Sequence, residues 1–348
     1  MKRERLFYLD FVRAIAAISI VITHYNAGYL WMGQENKAVL TLEVGGLYIG
    51  DWGVSLFLII SGAALMYVYE ERCELKKFFK KRFLSIYPMF WIAYVVYLAY
   101  YVLVYKNIPG AGTIAPWRII FSVIGFDGLL VANGIQTFYL LGEWFLGVIV
   151  LIYLLFPLLR KLANEKPVLL LVLTAISYAG GAVLCRYGPF PLVLSTCVLV
   201  RLPEVVFGMM FVKYRKKVNW KAALAALLLV AANQILQPEI PRTIQTTVVG
   251  IASFIVLVYV SEFVKFRPVE YICSVLSKYS YAIFLVHHVI IDQVIARVDR
   301  YYFTVRDSYV MFIVLCVPIA VCAFGLYHVH AAVMKLPEKL KQRGRTDK

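Results

Sequence analysis

Apolar residues in this chain do not alternate with polar ones over short distances. They come in long runs separated by short, charge-rich breaks. Ten runs can be drawn, at 6–28, 47–69, 87–105, 143–160, 167–186, 191–212, 218–236, 243–262, 279–297 and 309–333. Each is near the roughly 20 residues that a helix needs to cross about 30 Å of hydrocarbon. Backbone groups in lipid must be satisfied within their own segment, so the runs predict helices. The expected fold class is an all-α polytopic membrane protein with about ten transmembrane helices. The stretch 106–142 is different. It holds Pro109, Gly110, Gly112, Pro116 and a moderately apolar run over 119–131. It reads as an outside loop with a short interfacial or re-entrant helix, because a full span there would invert every later loop.

Charge then orients the drawing. With the N-terminus inside, the inside segments hold 26 Lys and Arg and the outside segments 8. This asymmetry follows the positive-inside rule and predicts that both termini are cytoplasmic. The net charge of +16 would suggest nucleic acid in a soluble protein, but the chain is 62% hydrophobic with a mean hydropathy of +0.76. The cations therefore set topology and meet membrane lipid, and no nucleic-acid partner is expected. The division expected is 1–334 as the integral-membrane domain and 335–348 as a basic, solvated cytoplasmic tail, in a multi-pass protein of the cell membrane. The first run carries an Arg-Asp interruption and no small-residue cleavage site, so it reads as a retained helix. Six cysteines lack CxxC spacing or His partners, and neither disulfides nor a metal site are expected.

The first run also carries Asp10, Arg13 and His24, each costly in hydrocarbon. From Arg13 to His24 is eleven steps, three turns plus about 20°, so the two share a face about 16 Å apart in depth. Asp10, Arg13, Ala17 and His24 form one stripe, which predicts a polar interior running from one side of the membrane toward the other. The competing structural reading puts Asp10 and Arg13 in the inner headgroup zone, with His24 at the outer edge.

Further motifs follow in order: Leu9-Asp10-Phe11-Val12-Arg13 with His24; Phe57-Leu58-Ile59-Ile60-Ser61-Gly62; Phe78 through Arg82 to Ser85 and Tyr87-Pro88; Trp144-Phe145-Leu146 ahead of Tyr153 and Pro157; and Ser280-Tyr281 through His287. In this order, over nearly the whole chain, they resemble the membrane acyltransferase-3 family, which moves acyl groups from acyl-CoA onto sugars, polysaccharides or other acceptors. Two features depart from the family pattern. Ser85 stands where members often carry a second arginine, and no added extracellular domain follows the last run, so the membrane domain is expected to meet its acceptor unaided.

The resemblance implies an integral-membrane O-acyltransferase, most plausibly acetylating a sugar hydroxyl of a surface glycan or its lipid-linked precursor. Acyl-CoA is its co-substrate, and no cofactor is tightly bound. His24 is then the general base and Arg13 its electrostatic partner, holding the donor or the developing charge at the thioester carbonyl. Substrate contacts are expected from Asp10, Ser61, Arg82, Trp144, Arg201 and His287, with Asp51 or Glu143 as a possible acid orienting His24. The residues leave alternatives open. Arg201 equally suits a pair with Glu204 beside Pro203; Ser61-Gly62 suits a close helix contact; His287 suits a structural hydrogen bond; Asp51 and Glu143 equally suit solvated helix ends. His287 and His288 point to different faces, so at most one is expected at the site.

From other classes, a proton-coupled or anion transporter would use the same stripe, although no inverted repeat is visible. A non-catalytic polysaccharide-assembly subunit is the third reading. Acceptor specificity is expected in the loops 29–46, 106–142 and 237–242.

Overall fold

The computed structural model describes residues 4–346 except 142, 191 and 216, with only the backbone described at 143 and 337–346. Among these residues every apolar run has become a helix. In chain order they are α1 (Phe7–Trp31), α2 (Ile49–Tyr69), α3 (Leu75–Tyr105), two short helices α4 (Ile119–Val123) and α5 (Asp127–Ala132), then α6 (Glu143–Glu165), α7 (Pro167–Tyr187), α8 (Val198–Tyr214), α9 (Trp220–Leu236), α10 (Arg242–Phe263), α11 (Arg267–Ile295) and α12 (Val305–Thr346). A two-residue hairpin, Glu43–Val44 with Leu47–Tyr48, precedes α2.

Eight of these helices are long and apolar enough to cross a membrane: α1, α2, α3, α6, α7, α10, α11 and α12. The protein is a polytopic, multi-pass membrane protein. The two remaining long helices, α8 and α9, have 17 residues each, about 26 Å at 1.5 Å per residue. The run at 191–212 was expected to be helical throughout. Its helix begins at Val198, because Asn133 takes hold of the preceding segment, its side chain accepting from the Val193 N–H at 2.6 Å and bonding the Thr196 hydroxyl. That contact favours a 3-10 turn at Leu194–Thr196 over continued α-helix. Several other runs extend at an end. The basic run Lys76 to Arg82 forms the first turns of α3, α11 begins twelve residues before the drawn segment, and the backbone of α12 stays helical to Thr346, through most of the expected tail.

The bundle is organised around α2. Gly62 of α2 and Gly208 of α8 each face the other helix's backbone: a Cβ at Gly62 would lie 2.1 Å from the Val205 carbonyl oxygen, and one at Gly208 1.9 Å from that of Ile59. Only glycine permits so close a crossing, in which van der Waals packing replaces the hydrophobic drive that lipid cannot supply. Leu56, Ile59, Ile60 and Ala63 fill the space between α1, α2, α8 and α10. Leu58, Leu65 and Met66 face the other way, into a larger apolar cluster with α3, α6 and α8. On the outer helices α7, α9 and α12 large apolar residues such as Val168, Leu228 and Val317 are exposed, as a lipid-facing surface requires.

The segment 106–142 forms no span. It holds α4, α5 and a short 3-10 turn at Pro116–Arg118, and α5 packs on α6 where Leu129 meets Gly147.

Candidate active site

Two helices from opposite ends of the chain, α1 and α11, lie side by side with a constant offset in numbering. Arg13 donates through Nη1 to the Ser277 hydroxyl at 3.1 Å, and Ser277 in turn donates to Asp10 Oδ1 at 2.6 Å. The other Asp10 oxygen accepts from Arg5. Farther along the seam, the His24 ring lies 4.9 Å from that of His287 and 4.7 Å from that of His288. Ser277 to His288 is eleven residues, as is Arg13 to His24. Parallel helices in one register therefore bring polar groups together twice.

At the histidine end, His287 is fully buried. Its Nδ1 lies 3.0 Å from the Ile283 carbonyl oxygen and 2.9 Å from that of Phe284. Only a donor can satisfy a carbonyl, so Nδ1 carries the proton and Nε2 is the basic nitrogen of the neutral ring. His288 Nε2 pairs with Asp292 at 3.2 Å, one turn on, and its Nδ1 lies 3.5 Å from the Tyr139 hydroxyl. Both His287 and His288 lie beside His24, where at most one of them was expected. Neighbouring residues on a helix are about 100° apart, and His24 sits over the edge between them, within reach of both.

At the arginine end, Tyr153 of α6 is close enough to act electrostatically on Arg13. The Arg82 guanidinium stacks on the Tyr153 ring at 5.5 Å and on Tyr69 at 5.9 Å. Arg82 is thus held between two tyrosine rings. Lys77, Lys80 and Lys81 line a surface pocket of ≈ 390 Å³ with Leu84 and Ser85, and Lys81 also lies 5.9 Å from the Tyr69 ring.

Between the two ends the stripe is not polar throughout, as the sequence led one to expect. Ala17, Ile20 and Phe57 meet Ser280, Ile283, Phe284 and His287 around a cavity of ≈ 10 Å³, room for about one water molecule. Phe57 and Phe284 are backed by Phe145, at ring distances of 5.8 and 5.9 Å, and Trp144 packs beside Phe145 in the apolar cluster. Two polar clusters are therefore joined through a narrow waist of small and aromatic side chains.

The other expected site residues lie elsewhere. Ser61 donates to the Phe57 carbonyl of its own helix at 2.6 Å, and Gly62 makes the contact with α8. Arg201 pairs with Glu204 at 3.2 Å in the interior, where the two are 3% and 0% exposed. Asp51 pairs with Arg242 of α10 at 3.1 Å. The Glu143 side chain lies outside the described residues. Sequence reasoning passed over Ser277, Tyr139 and Asp292, and named Tyr153 only within a motif and His288 only as the neighbour of His287. The i,i+4 spacing of His288 and Asp292, and the eleven-residue interval shared by the two helices, were the available signals.

The fold is thus a helical membrane bundle with a paired carboxylate and guanidinium at one end of a helix seam and a histidine cluster at the other. The chain belongs to the acyltransferase 3 family, whose model, described as an acyltransferase domain, matches residues 6–328. Membership implies acyltransferase activity, with an acyl donor and an acceptor as its two substrates. No curated protein and no solved structure matches the chain.

Proposed function

We propose that this protein is an O-acyltransferase that moves an acetyl group from cytoplasmic acyl-CoA to a hydroxyl of a surface glycan or of its lipid-linked precursor. The observation that carries the reading is the α1–α11 seam, which sets Arg13 and the His24 cluster on one line about 16 Å apart. CoA is polyanionic and cannot enter hydrocarbon, so it docks at the basic end, its phosphates on Lys77, Lys80 and Lys81 and its pantetheine arm passing Arg82 and Arg13. The acceptor enters from the histidine end. His24 takes the proton of the acceptor hydroxyl as its oxygen attacks the thioester carbonyl. Collapse of the oxyanion that forms expels the CoA thiolate, which recovers the proton from His24. His288, held by Asp292, and His287, whose Nδ1 proton is fixed by backbone carbonyls, pass the proton and keep His24 oriented.

The waist supports acetyl as the group transferred. A cavity that admits about one water admits a methyl group and little more. The test is to incubate the purified protein with acetyl-CoA, with and without a glycan acceptor, and to measure release of free thiol together with acetyl incorporation. Acceptor-dependent thiol release is expected, with butyryl-CoA much poorer than acetyl-CoA. Equal use of both thioesters would remove the waist as the gauge of chain length. Absence of transfer from any acyl-CoA would remove the reaction.

A further inference from the structure

On the far side of α11 from the histidines lies a second feature, a groove of ≈ 770 Å³ bounded by α3, α11 and α12. Its floor is apolar, and it opens to the lipid-facing surface at Val96, which is 63% exposed. The polar groups that line it gather on α3 and α11 around Tyr97, Tyr100, Gln293 and Arg297. The Arg297 guanidinium is held in place there: it donates to the Gln293 backbone carbonyl, to Gln293 Oε1 at 3.1 Å and to the Tyr100 hydroxyl at 3.0 Å. Tyr105 also donates to Gln293 Oε1, and the Gln293 amide donates to Tyr97. Among the described residues no carboxylate lies within ion-pairing distance of Arg297. Three of its five N–H groups are used, and two remain for an anion.

We infer that this groove seats the acceptor as a sugar linked through phosphate to one long polyisoprenoid chain, with the chain along α11 and the phosphate on Arg297. This rests on the acyl-transfer reading and names its acceptor class. Three features favour that occupant. The bilayer around the groove admits only an apolar chain, and the lining from Leu285 to Val298 follows α11 for about 20 Å. A fixed, unpaired arginine at the groove suits a phosphate. One segment links the groove to the histidines: Leu141 lines the groove, and two residues earlier Tyr139 reaches His288. A sugar above a phosphate at Arg297 therefore lies at the same end of α11 as the histidine cluster.

The test separates the groove from the chemistry. Full-length protein in nonionic detergent is examined by native mass spectrometry with C55 polyprenyl phosphate competing against phosphatidylglycerol, as wild type, Arg297→Gln and Val96→Trp. Val96 faces lipid, so tryptophan there fills the groove without repacking the bundle. Preferential retention of polyprenyl phosphate, reduced at least tenfold in both variants, is expected. Equal retention of phosphatidylglycerol, or unchanged binding in both variants, overturns the assignment. In turnover, Arg297→Gln should raise the half-saturating concentration of a polyprenyl-phosphate-linked monosaccharide at least tenfold, while leaving that of acyl-CoA and of the methyl glycoside of the same sugar within twofold. Equal effects on the two acceptors would show that the groove does not seat the acceptor. If no acceptor is acylated, the proposed reaction fails, and the binding comparison still decides what the groove holds.

Discussion

His24 on α1 and His287 on α11 meet edge to face with ring centroids 4.9 Å apart, although 263 positions separate them in the chain. His287 is fully buried there while His24 and His288 keep partial exposure, so the crossing joins a buried imidazole to two that can exchange protons with water or a substrate. His24 is the one that touches both of the others, so it is the natural point of entry for a proton from outside the cluster.

His24→Ala and His24→Gln, purified at normal yield and still binding acyl-CoA, should therefore lose transfer by about 10²–10⁴, the range for loss of a general base. Asp292→Asn should cost less, because it acts on His288 rather than on the acceptor. Retention of more than about a tenth of wild-type turnover in either His24 variant would make the residue structural.

The α2–α8 crossing makes a prediction about stability whose sign runs against helix propensity. Gly→Ala inside a helix ordinarily stabilises by up to about 1 kcal/mol. At Gly62 the added methyl would fall 2.1 Å from a backbone oxygen that belongs to another helix and cannot rotate away. Gly62→Ala should destabilise by about 1–3 kcal/mol, the cost of overpacking. A lowered thermal midpoint in detergent is the expected readout, and a raised one would mean that the helices can part freely.

Much of this architecture was legible in the sequence. Length and hydrophobicity place helices well, since lipid leaves the backbone no other solution, and the first apolar run announced Asp10, Arg13 and His24 by their cost in hydrocarbon. What could not be read was which helix lies against α1. Nothing local marks α11 as its partner, so His288 reads only as lying on a different face from His287, and Asp292 is not singled out. The repeated eleven-residue interval, Arg13 to His24 and Ser277 to His288, becomes meaningful only once the two helices are known to be parallel. Asp51 shows the converse limit. Depth placed it near His24, but depth says nothing about azimuth, and its carboxylate meets Arg242.

The connection between α3 and α6 should respond to pH through Asp127. This carboxyl is fully buried at the start of α5; Oδ1 accepts from the Gly128 N–H at 3.0 Å, and Oδ2 has no hydrogen-bond partner. Burial pushes its pKa up to about 7. The folded segment therefore holds a proton that the unfolded one releases near pH 4, so its stability falls as pH rises from about 4 to about 7 and is level above that. Limited proteolysis within 106–142 should be slower at pH 5 than at pH 8. Asp127→Asn, which cannot ionise, should flatten the difference, and a pH dependence that survives the substitution would place its origin elsewhere.

Donor binding should divide the basic run at the start of α3 into two functions. Lys77, Lys80 and Lys81 line the surface pocket, whereas Arg82 lies over Tyr153 and shares Tyr69 with Lys81. If the phosphates of CoA rest on the lysines, Lys80→Gln with Lys81→Gln should raise the KM for acyl-CoA about tenfold and leave kcat and the acceptor KM nearly unchanged. That is the pattern of binding energy lost equally from ground state and transition state. Arg82→Gln should lower kcat as well, since its cation stands nearer the reacting end of the donor and stacks on a tyrosine that also faces Arg13. Ser85 lies in the lysine pocket, so Ser85→Arg should tighten acyl-CoA binding. Steady-state kinetics with acyl-CoA varied at saturating acceptor separates these outcomes. An unchanged donor KM in the double lysine variant, with the protein correctly inserted, would move the CoA phosphates away from α3 altogether.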